Sequence, residues 1–494
     1  MSNDKNIALK KKELMLLREV RKRQCERSLH QFVLDAHYYL FNERLDDNWH
    51  LKYICDRIQT EIERIAQRKK KNKDIIINIP PRSLKSFSIT VASAAWAWIH
   101  KPSMKFIGTS YSGDLSLQHN MWTKDIVKTQ WYQGHWGNIT TISKRRDTKE
   151  YFETQHKGLR ACASTGSAIT GFGGDIIIID DPLNPKKAIS DAERESANRY
   201  FDETLTTRLN NPEIGIFIII MQRLHVDDLT GHLLKKSPDK YEHICIPAEK
   251  TADIKPLELE ALYEDGLFFP KRFTKNYLDD LKIKMGSYAY AGQLLQTPKL
   301  EGSGMIQGKW FKRFKMNQLP DNVVWNFCVD SAYTKKTVND PSGILCFCIH
   351  KNNMYIRGFS KVHMEFPELL KHLQKYTKAM DYSFRSRIYI EPKASGLSIV
   401  QQLKRKTKLN VISDKPPDTD KVTRAADASP TLEAGRVYLL EDAHWLDDFI
   451  YELEVFPLGE HDEAVDLICM AVRRFQKKTK VIRYSFGRKN QLWQ

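Results

Sequence analysis

The sequence has little of what would mark a disulfide-stapled, zinc-binding or membrane-spanning protein. Its eight cysteines in 494 residues (25, 55, 162, 245, 328, 346, 348 and 469) form no CxxC pair, and no Cys/His array has zinc-ligand spacing. They read as reduced thiols, mostly in the core, with Cys346 and Cys348 on one face of a strand. No apolar run approaches the ~18 residues that span a bilayer. The opening MSNDKNIALKKKELMLL lacks a separate apolar segment and a small-residue cleavage site, so no secretory leader is expected and the chain is expected in the cytoplasm. An internal repeat and an extended low-complexity tract are also missing, which sets aside solenoids and long disordered regions.

Hydrophobic residues make up 41% and charged residues 28%, the balance of a soluble globular chain. At 494 residues the chain exceeds the ~250 to 300 residues at which single cores stop growing, so two domains are expected. The formal net charge of +17 calls for a polyanionic partner, because phosphate neutralisation gains affinity through counterion release. Basic runs occur at Lys10 to Lys12, Arg21 to Arg23, Arg68 to Lys73, Lys144 to Arg146 and from Lys477 onward. Any one of them reads as a solvated face or tail. Charge by itself does not separate nucleic acid from an acidic membrane surface, but the runs together favour nucleic acid.

Residues 1–44 read as a basic helical region, with Leu14, Leu17 and Val20 at helical spacing. Trp49, Ile54, Ile58, Ile62 and Ile65 mark an amphipathic helix at the start of a domain spanning 45–247. From Ile75 short β-branched runs alternate with helical segments, the pattern of a mostly parallel sheet covered on both faces. Residues 248–320 read as a linker region with some helix between Asn276 and Leu295. In 321–476 three sequential strands precede alternating helix and strand, the order of a ribonuclease-H-like core, and 477–494 form a basic tail. The expected fold is thus α/β in both halves.

Chemistry concentrates at strand ends. Lys85 and Ser86 follow the buried run IIINI and open a helix, as in phosphate loops, where the lysine reaches the β- and γ-phosphates and the hydroxyl binds magnesium. The usual glycines are missing, with Leu84 and prolines 80 and 81 in the loop instead. GDIIIIDDP ends a second strand in two carboxylates: Asp180 suits a hold on magnesium, and Asp181 suits positioning or deprotonating the attacking water. An Asx turn is the plainer reading of that pair. Arg223 follows a third strand, where a guanidinium could sense the γ-phosphate or simply pair with Asp227 or Asp228.

In the second half Asp330 and Glu391 end strands, and Asp462 and Asp466 lie four apart on a helix. Singly each would read as a surface acid or a cap. Converging, they would need cations, and two divalent ions would activate water against a phosphodiester. Asp340 and His461 are nearby supporting candidates.

PPRSLKS, GTSYS, TGFGGDIIIIDDP, LTTRLNN and QRLHVDDLTGHLL, in this order, resemble the successive motifs of the large terminase subunits of tailed bacteriophages. IEPKASGLSIVQQLK, DKVTRAADASPTLEAGRVYL and FPLGEHDEAVDL resemble the nuclease half of the same family, so the resemblance runs over roughly residues 45–475. It implies a divergent phosphate-loop ATPase carried by Arg82, Ser83, Lys85 and Ser86, with Asp180, Asp181 and Arg223, using ATP and Mg2+. It also implies a ribonuclease-H-like endonuclease with Asp330, Glu391, Asp462 and Asp466 as Mg2+ or Mn2+ ligands. Two departures stand out: Met221-Gln222-Arg223-Leu224-His225 replaces the family's Thr-Arg-Trp-His, and Glu463 stands where an Asp is frequent.

The implied partners are double-stranded DNA, a small terminase subunit and the portal protein of the procapsid. The implied assembly is a pentameric homo-oligomeric ring in the host cytoplasm, at the portal vertex and away from membranes. A neighbouring subunit would supply an arginine to the ATP site, with Arg145 and Arg146 as candidates. The competing readings are a helicase-nuclease of repair or restriction, and a non-enzymatic DNA-binding virion protein.

Overall fold

A computed structural model describes residues 2–167, 169, 171–298, 305–330, 341–364, 366–391, 394–457, 459 and 461–489. The chain divides into two compact units, one of residues 1–280 and 289–299, the other of 281–288 and 300–494. The segment 248–320, expected as a linker, is therefore shared between the units, and the basic amino-terminal region belongs to the first unit. Among the described residues no helix is long and apolar enough to cross a membrane.

In the first unit the strands are β1 (Asp74–Asn78), β2 (Lys105–Ser110), β3 (Ile142–Asp147), β4 (Tyr151–Thr154), β5 (Leu159–Ser164), β6 (Ile176–Asp180), β7 (Ile216–Met221) and β8 (Tyr241–Cys245). They form one sheet in the order β3-β4-β5-β2-β6-β7-β1-β8. Pairing is parallel from β5 to β8 and antiparallel in β3-β4-β5. The near-continuous isoleucines of β1, β6 and β7 are all buried, as strands covered on both faces require.

The basic amino-terminal region forms helices Ser2–Arg27 and Leu29–Phe41, parted at Ser28, whose side chain accepts from the Gln31 N–H. Leu14, Leu17 and Val20 stay exposed on the first. Helix Trp49–Ala66 buries Ile54, Ile58, Ile62 and Ile65, the stripe its periodicity predicts. Helix Lys275–Gln293 matches the expected helical segment, with a break at Gly286, whose φ of 76° is open to glycine.

The second unit carries β9 (Lys312–Phe314), β10 (Asn326–Asp330), β11 (Ser342–His350), β12 (Asn353–Val362), β13 (Ile388–Ile390), β14 (Val411–Ser413) and β15 (Val437–Leu440). Their order is β14-β13-β10-β11-β12-β15-β9. β10, β11 and β12 run antiparallel, and the other strands join in parallel. β11 turns into β12 through Lys351 and Asn352, both at positive φ (43° and 61°), the two-residue turn whose twist suits a hairpin. Along β11, Ile344, Cys346 and Cys348 enter one core cluster while Leu345 and Phe347 enter another, so the sheet is buried on both faces. All eight cysteines are free thiols, and Cys346 and Cys348 share a face as expected.

Candidate active sites

The first site forms where β1 and β6 end. β1 leads into Pro80-Pro81-Arg82-Ser83-Leu84, and the chain enters a π-helical segment Ser86–Ala92 that continues as helix Ser93–His100. Arg82 and Leu84 take positive φ (65° and 63°), so two bulky residues make the turn that glycines make in ordinary phosphate loops. Ser83 braces the loop by donating from Oγ to the Pro80 carbonyl at 2.8 Å. Buried His50 contacts the Ser83 carbonyl through Nε2 at 3.1 Å and Asn48 through Nδ1 at 2.8 Å. Burial lowers its pKa to about 4, so the ring is neutral: Nδ1 accepts from the Asn48 amide and Nε2–H donates to the loop carbonyl. Arg82 lies in the loop, exposed.

Lys85 and Asp181 are 96 residues apart in sequence and meet at 2.8 Å. The Ser86 hydroxyl donates to Asp180 at 3.1 Å, and the Thr90 hydroxyl, one helical turn on, donates to its other oxygen at 2.6 Å. His119 Nδ1 lies 3.7 Å from Asp180 and is kept toward the neutral form by burial. Burial pushes the Asp181 carboxyl up, adjacent Asp180 adds to this, and Lys85 opposes it. Lysine, serine and both aspartates therefore form one cluster, as their sequence pattern predicts. The sequence pattern does not single out Thr90 or His119. Thr90 was open to detection, since it lies four residues after Ser86 on one helix.

Arg223 pairs with Asp228, one of the two partners its sequence context offers. Its Nε lies 3.0 Å from both oxygens of Asp228, whose carboxylate also accepts from the N–H groups of Leu224 and Gly231 and so caps helix Leu229–Lys236. Its link to the first cluster is through the chain: the preceding Gln222 N–H donates to Asp181 at 3.2 Å.

The second site lies in the other unit. Pairing of Phe327, Cys328 and Val329 with Ile388, Tyr389 and Ile390 puts the ends of β10 and β13 side by side, and the Glu391 N–H reaches the Val329 carbonyl at 3.4 Å. Asp330 and Glu391, both buried, are thus neighbours at adjacent strand ends. Asp462 and Asp466 stand one helical turn apart, with the Asp466 N–H on the Asp462 carbonyl at 3.1 Å.

Two cations on helix Lys421–Glu433 join these acids. Lys421 Nζ lies 2.6 Å from Asp462 and 3.0 Å from Asp466, and Arg424 lies 3.0 Å from Asp466 and 3.7 Å from Glu391. Burial would lower the Lys421 pKa, but Asp466 and Asp462 outweigh it and hold the ammonium charged. Glu391, Arg424 and Asp466 line a cavity of about 160 Å³.

The sequence pattern assigns neither cation, although their i, i+3 spacing in DKVTRAAD sets both on one helix face. Glu463 points elsewhere, 3.5 Å from Lys361, and His461 is exposed. Asp340 lies outside the described residues. The four acids offer only carboxylate oxygens, the donors of a hard divalent ion, and the two inserted cations show that the cluster draws positive charge. Among the described residues no three His, Cys, Asp or Glu side chains are gathered closely enough to hold a metal ion.

Residues 330–474 match the family of terminase RNase H-like domains. No curated protein matches the chain. Among solved structures, the large terminase of a thermophilic bacteriophage in complex with ADP aligns at 12% identity and a TM-score of 0.46, covering 84% of this chain and 98% of that one. The large terminase of bacteriophage HK97 aligns at 12% identity and 0.38, covering 90% and 99%. The large terminase nuclease of thermophilic phage G20c with bound magnesium aligns at 12% identity and 0.27, covering 35% and 96%.

Proposed function

We infer that this chain, which carries a terminase RNase H-like domain over residues 330–474, is the large terminase subunit of a DNA-packaging motor. In this reading its first unit hydrolyses ATP to translocate double-stranded DNA into a procapsid, and its second cuts concatemeric DNA. The observation that carries it is the meeting of Lys85 with Asp181, and of Ser86 with Asp180, at the ends of parallel strands of one sheet, where open α/β sheets bind ligands.

ATP brings the phosphate anion and the phosphoanhydride bond. Lys85, paired with Asp181 in this structure, would turn to the phosphates, which would free Asp181 to order the attacking water. Ser86 and Asp180 would hold the Mg2+ that accompanies the nucleotide. Thr90 fixes the far oxygen of Asp180 and keeps its near oxygen aimed at Ser86. Movement of Asp181 pulls on the Gln222 amide, hence on Arg223 and through Asp228 on helix Leu229–Lys236. That route fits Arg223 as a coupling residue whose guanidinium stays on Asp228.

In the second unit no three of Asp330, Glu391, Asp462 and Asp466 stand close enough in this structure to hold an ion, so they would have to draw together to hold divalent metal, Mg2+ or Mn2+, which would supply charge neutralisation and an activated water. Lys421 and Arg424 pair with three of these acids, Glu391, Asp462 and Asp466, so Lys421 would have to swing aside for a metal to bind there. The proposed partners are the small terminase subunit, the portal protein and further copies of the chain in a pentameric ring at the portal vertex in the host cytoplasm. Arg145 and Arg146 remain candidates for the arginine passed between subunits.

Two variants separate the halves. Lys85→Ala should abolish ATP turnover and leave metal-dependent cleavage of plasmid DNA intact. Asp330→Asn should do the reverse. Normal ATP hydrolysis by the first, or undiminished cleavage by the second, would defeat the corresponding assignment.

A further inference from the structure

The strand that carries Glu391 at its carboxyl end, β13, is preceded at its amino end by two arginines. A groove there is lined by Arg385 and Arg387 before β13, Arg474 and Lys477 on helix Glu463–Lys489, His350 at the end of β11 and Tyr389, and no carboxylate lines it. Arg474 is stacked 4.5 Å over the Tyr389 ring and shares Asp414 with Arg473. Arg385 lies 5.4 Å over the ring of Phe384, which is 84% exposed. Among the described residues neither Arg385 nor Arg387 has a carboxylate partner, and both are exposed. Lys477 is lowered from its ordinary pKa, by slight burial and by crowding from Arg474 and Arg473. Asp414 neutralises Arg474, and the charges of Arg385, Arg387 and Lys477, for which no carboxylate lines the groove, favour a bound anion.

Two independent measures separate this groove from the acidic cluster. From Asn326 to Asp330 β10 advances four residues, ~13 Å at strand rise, and from Asp466 to Arg474 the helix advances eight, ~12 Å at helical rise. The groove is therefore a separate surface on the same domain. We propose that it is a second phosphate-backbone site, which grips duplex DNA away from the scissile position through Arg385, Arg387 and Lys477, with Arg474 held on Asp414 at its wall. The guanidiniums supply planar donors to phosphate oxygens, and exposed Phe384 supplies an apolar face beside them. DNA is favoured over a small anion because the charges spread across an open groove instead of converging on one point. The site goes beyond the packaging reading, and its test needs neither ATP nor metal.

The test is binding of the full chain to a labelled duplex of about 30 base pairs in EDTA, measured by anisotropy across a salt series. Each lost phosphate contact lowers the slope of log K against log salt by about 0.9, so Arg385→Gln with Arg387→Gln should lower it by nearly 2 and weaken binding at least tenfold at low salt. The charge-matched control, Lys404→Gln with Arg405→Gln on exposed positions of helix Ala394–Lys406, should leave the slope unchanged. Arg385→Lys with Arg387→Lys should keep most of it. Inorganic phosphate at equal ionic strength should compete poorly. An unchanged slope in the groove variant, an equal loss in the control, or full displacement by millimolar phosphate would overturn the proposal. DNA-independent ATP turnover reports separately on the packaging reading and on folding.

Discussion

Replacing Lys421 by methionine removes the ammonium that lies 2.6 Å from Asp462 and 3.0 Å from Asp466 while keeping most of the aliphatic stem. The two halves of that interaction have different weights. Asp462 is 36% exposed, so its pair contributes at most ~1 kcal/mol. Asp466 is 3% exposed, but it keeps Arg424 at 3.0 Å. Its loss is therefore ~1–3 kcal/mol, below the ~3–5 kcal/mol of a buried charge stripped of its only partner. In EDTA the variant should be less stable by roughly 2–3 kcal/mol.

A divalent ion entering the wild-type pocket must displace the same ammonium, so the variant should bind Mg2+ more tightly. Recovery of about half to all of that energy corresponds to an affinity gain of roughly tenfold to a hundredfold. Calorimetric titration with Mg2+ measures the gain directly. The thermal midpoint gives a second reading, because ligand linkage predicts a larger rise on adding Mg2+ for the variant than for wild type. Equal or weaker Mg2+ binding by Lys421→Met would refute the idea that lysine and metal compete for these acids.

Thr90→Val should leave one oxygen of Asp180 without its donor and slow ATP turnover by about tenfold to a hundredfold, the ~1.5–3 kcal/mol of a hydrogen bond to a charged group, with Thr90→Ser restoring most of it. A turnover equal to wild type in the valine variant would remove Thr90 from the site. Asp228→Ala strips the partner of Arg223 and the cap of helix Leu229–Lys236, and should cost ~3–5 kcal/mol in chemical denaturation.

Stability should also fall with acid below pH ~6.5, the ordinary histidine value. Burial holds His50 at about 4 and His243 at about 3, so between those values and the unfolded one the unfolded chain binds more protons. The slope is ~1.4 kcal/mol per pH unit for each histidine. The contribution is therefore complete above the unfolded value and declines until each ring charges in the fold. Denaturation across that range should show a shallower slope for His50→Gln, and an unaltered slope would show that His50 is not neutral when folded.

Local pattern was enough for the strands and for most of the acids. Isoleucine runs ending in carboxylates can be recognised because a buried strand and its terminal turn are set by neighbouring residues. The Lys85-Ser86 pair was equally recognisable, since a strand, a turn and a helix follow one another without interruption. Partnerships across long sequence separations were not. Spacing puts Thr90 on the face of Ser86 and Lys421 on that of Arg424, but that these faces meet Asp180 and Asp466 is decided by sheet order and helix docking. Arg223 shows the same limit: Asp227 and Asp228 were both open as its partner in the sequence, and packing of the helix after Asp228 selected the second. The stretch 248–320 looked like a connection because its Gly, Pro and mixed charges give no clean period, yet Phe268, Phe269 and Phe273 in it are fully packed.

One of the two edge strands of the first sheet, β3, leaves one side of its backbone without a strand partner. An open margin of that kind invites a stranger's strand to zip onto it and start an aggregate. Here the margin bears Lys144, Arg145 and Arg146, all solvent-facing, so any second copy approaching edge-on meets three like charges at close range. Neutralising that trio should make the protein prone to clump at concentrations the parent tolerates, with its fold intact.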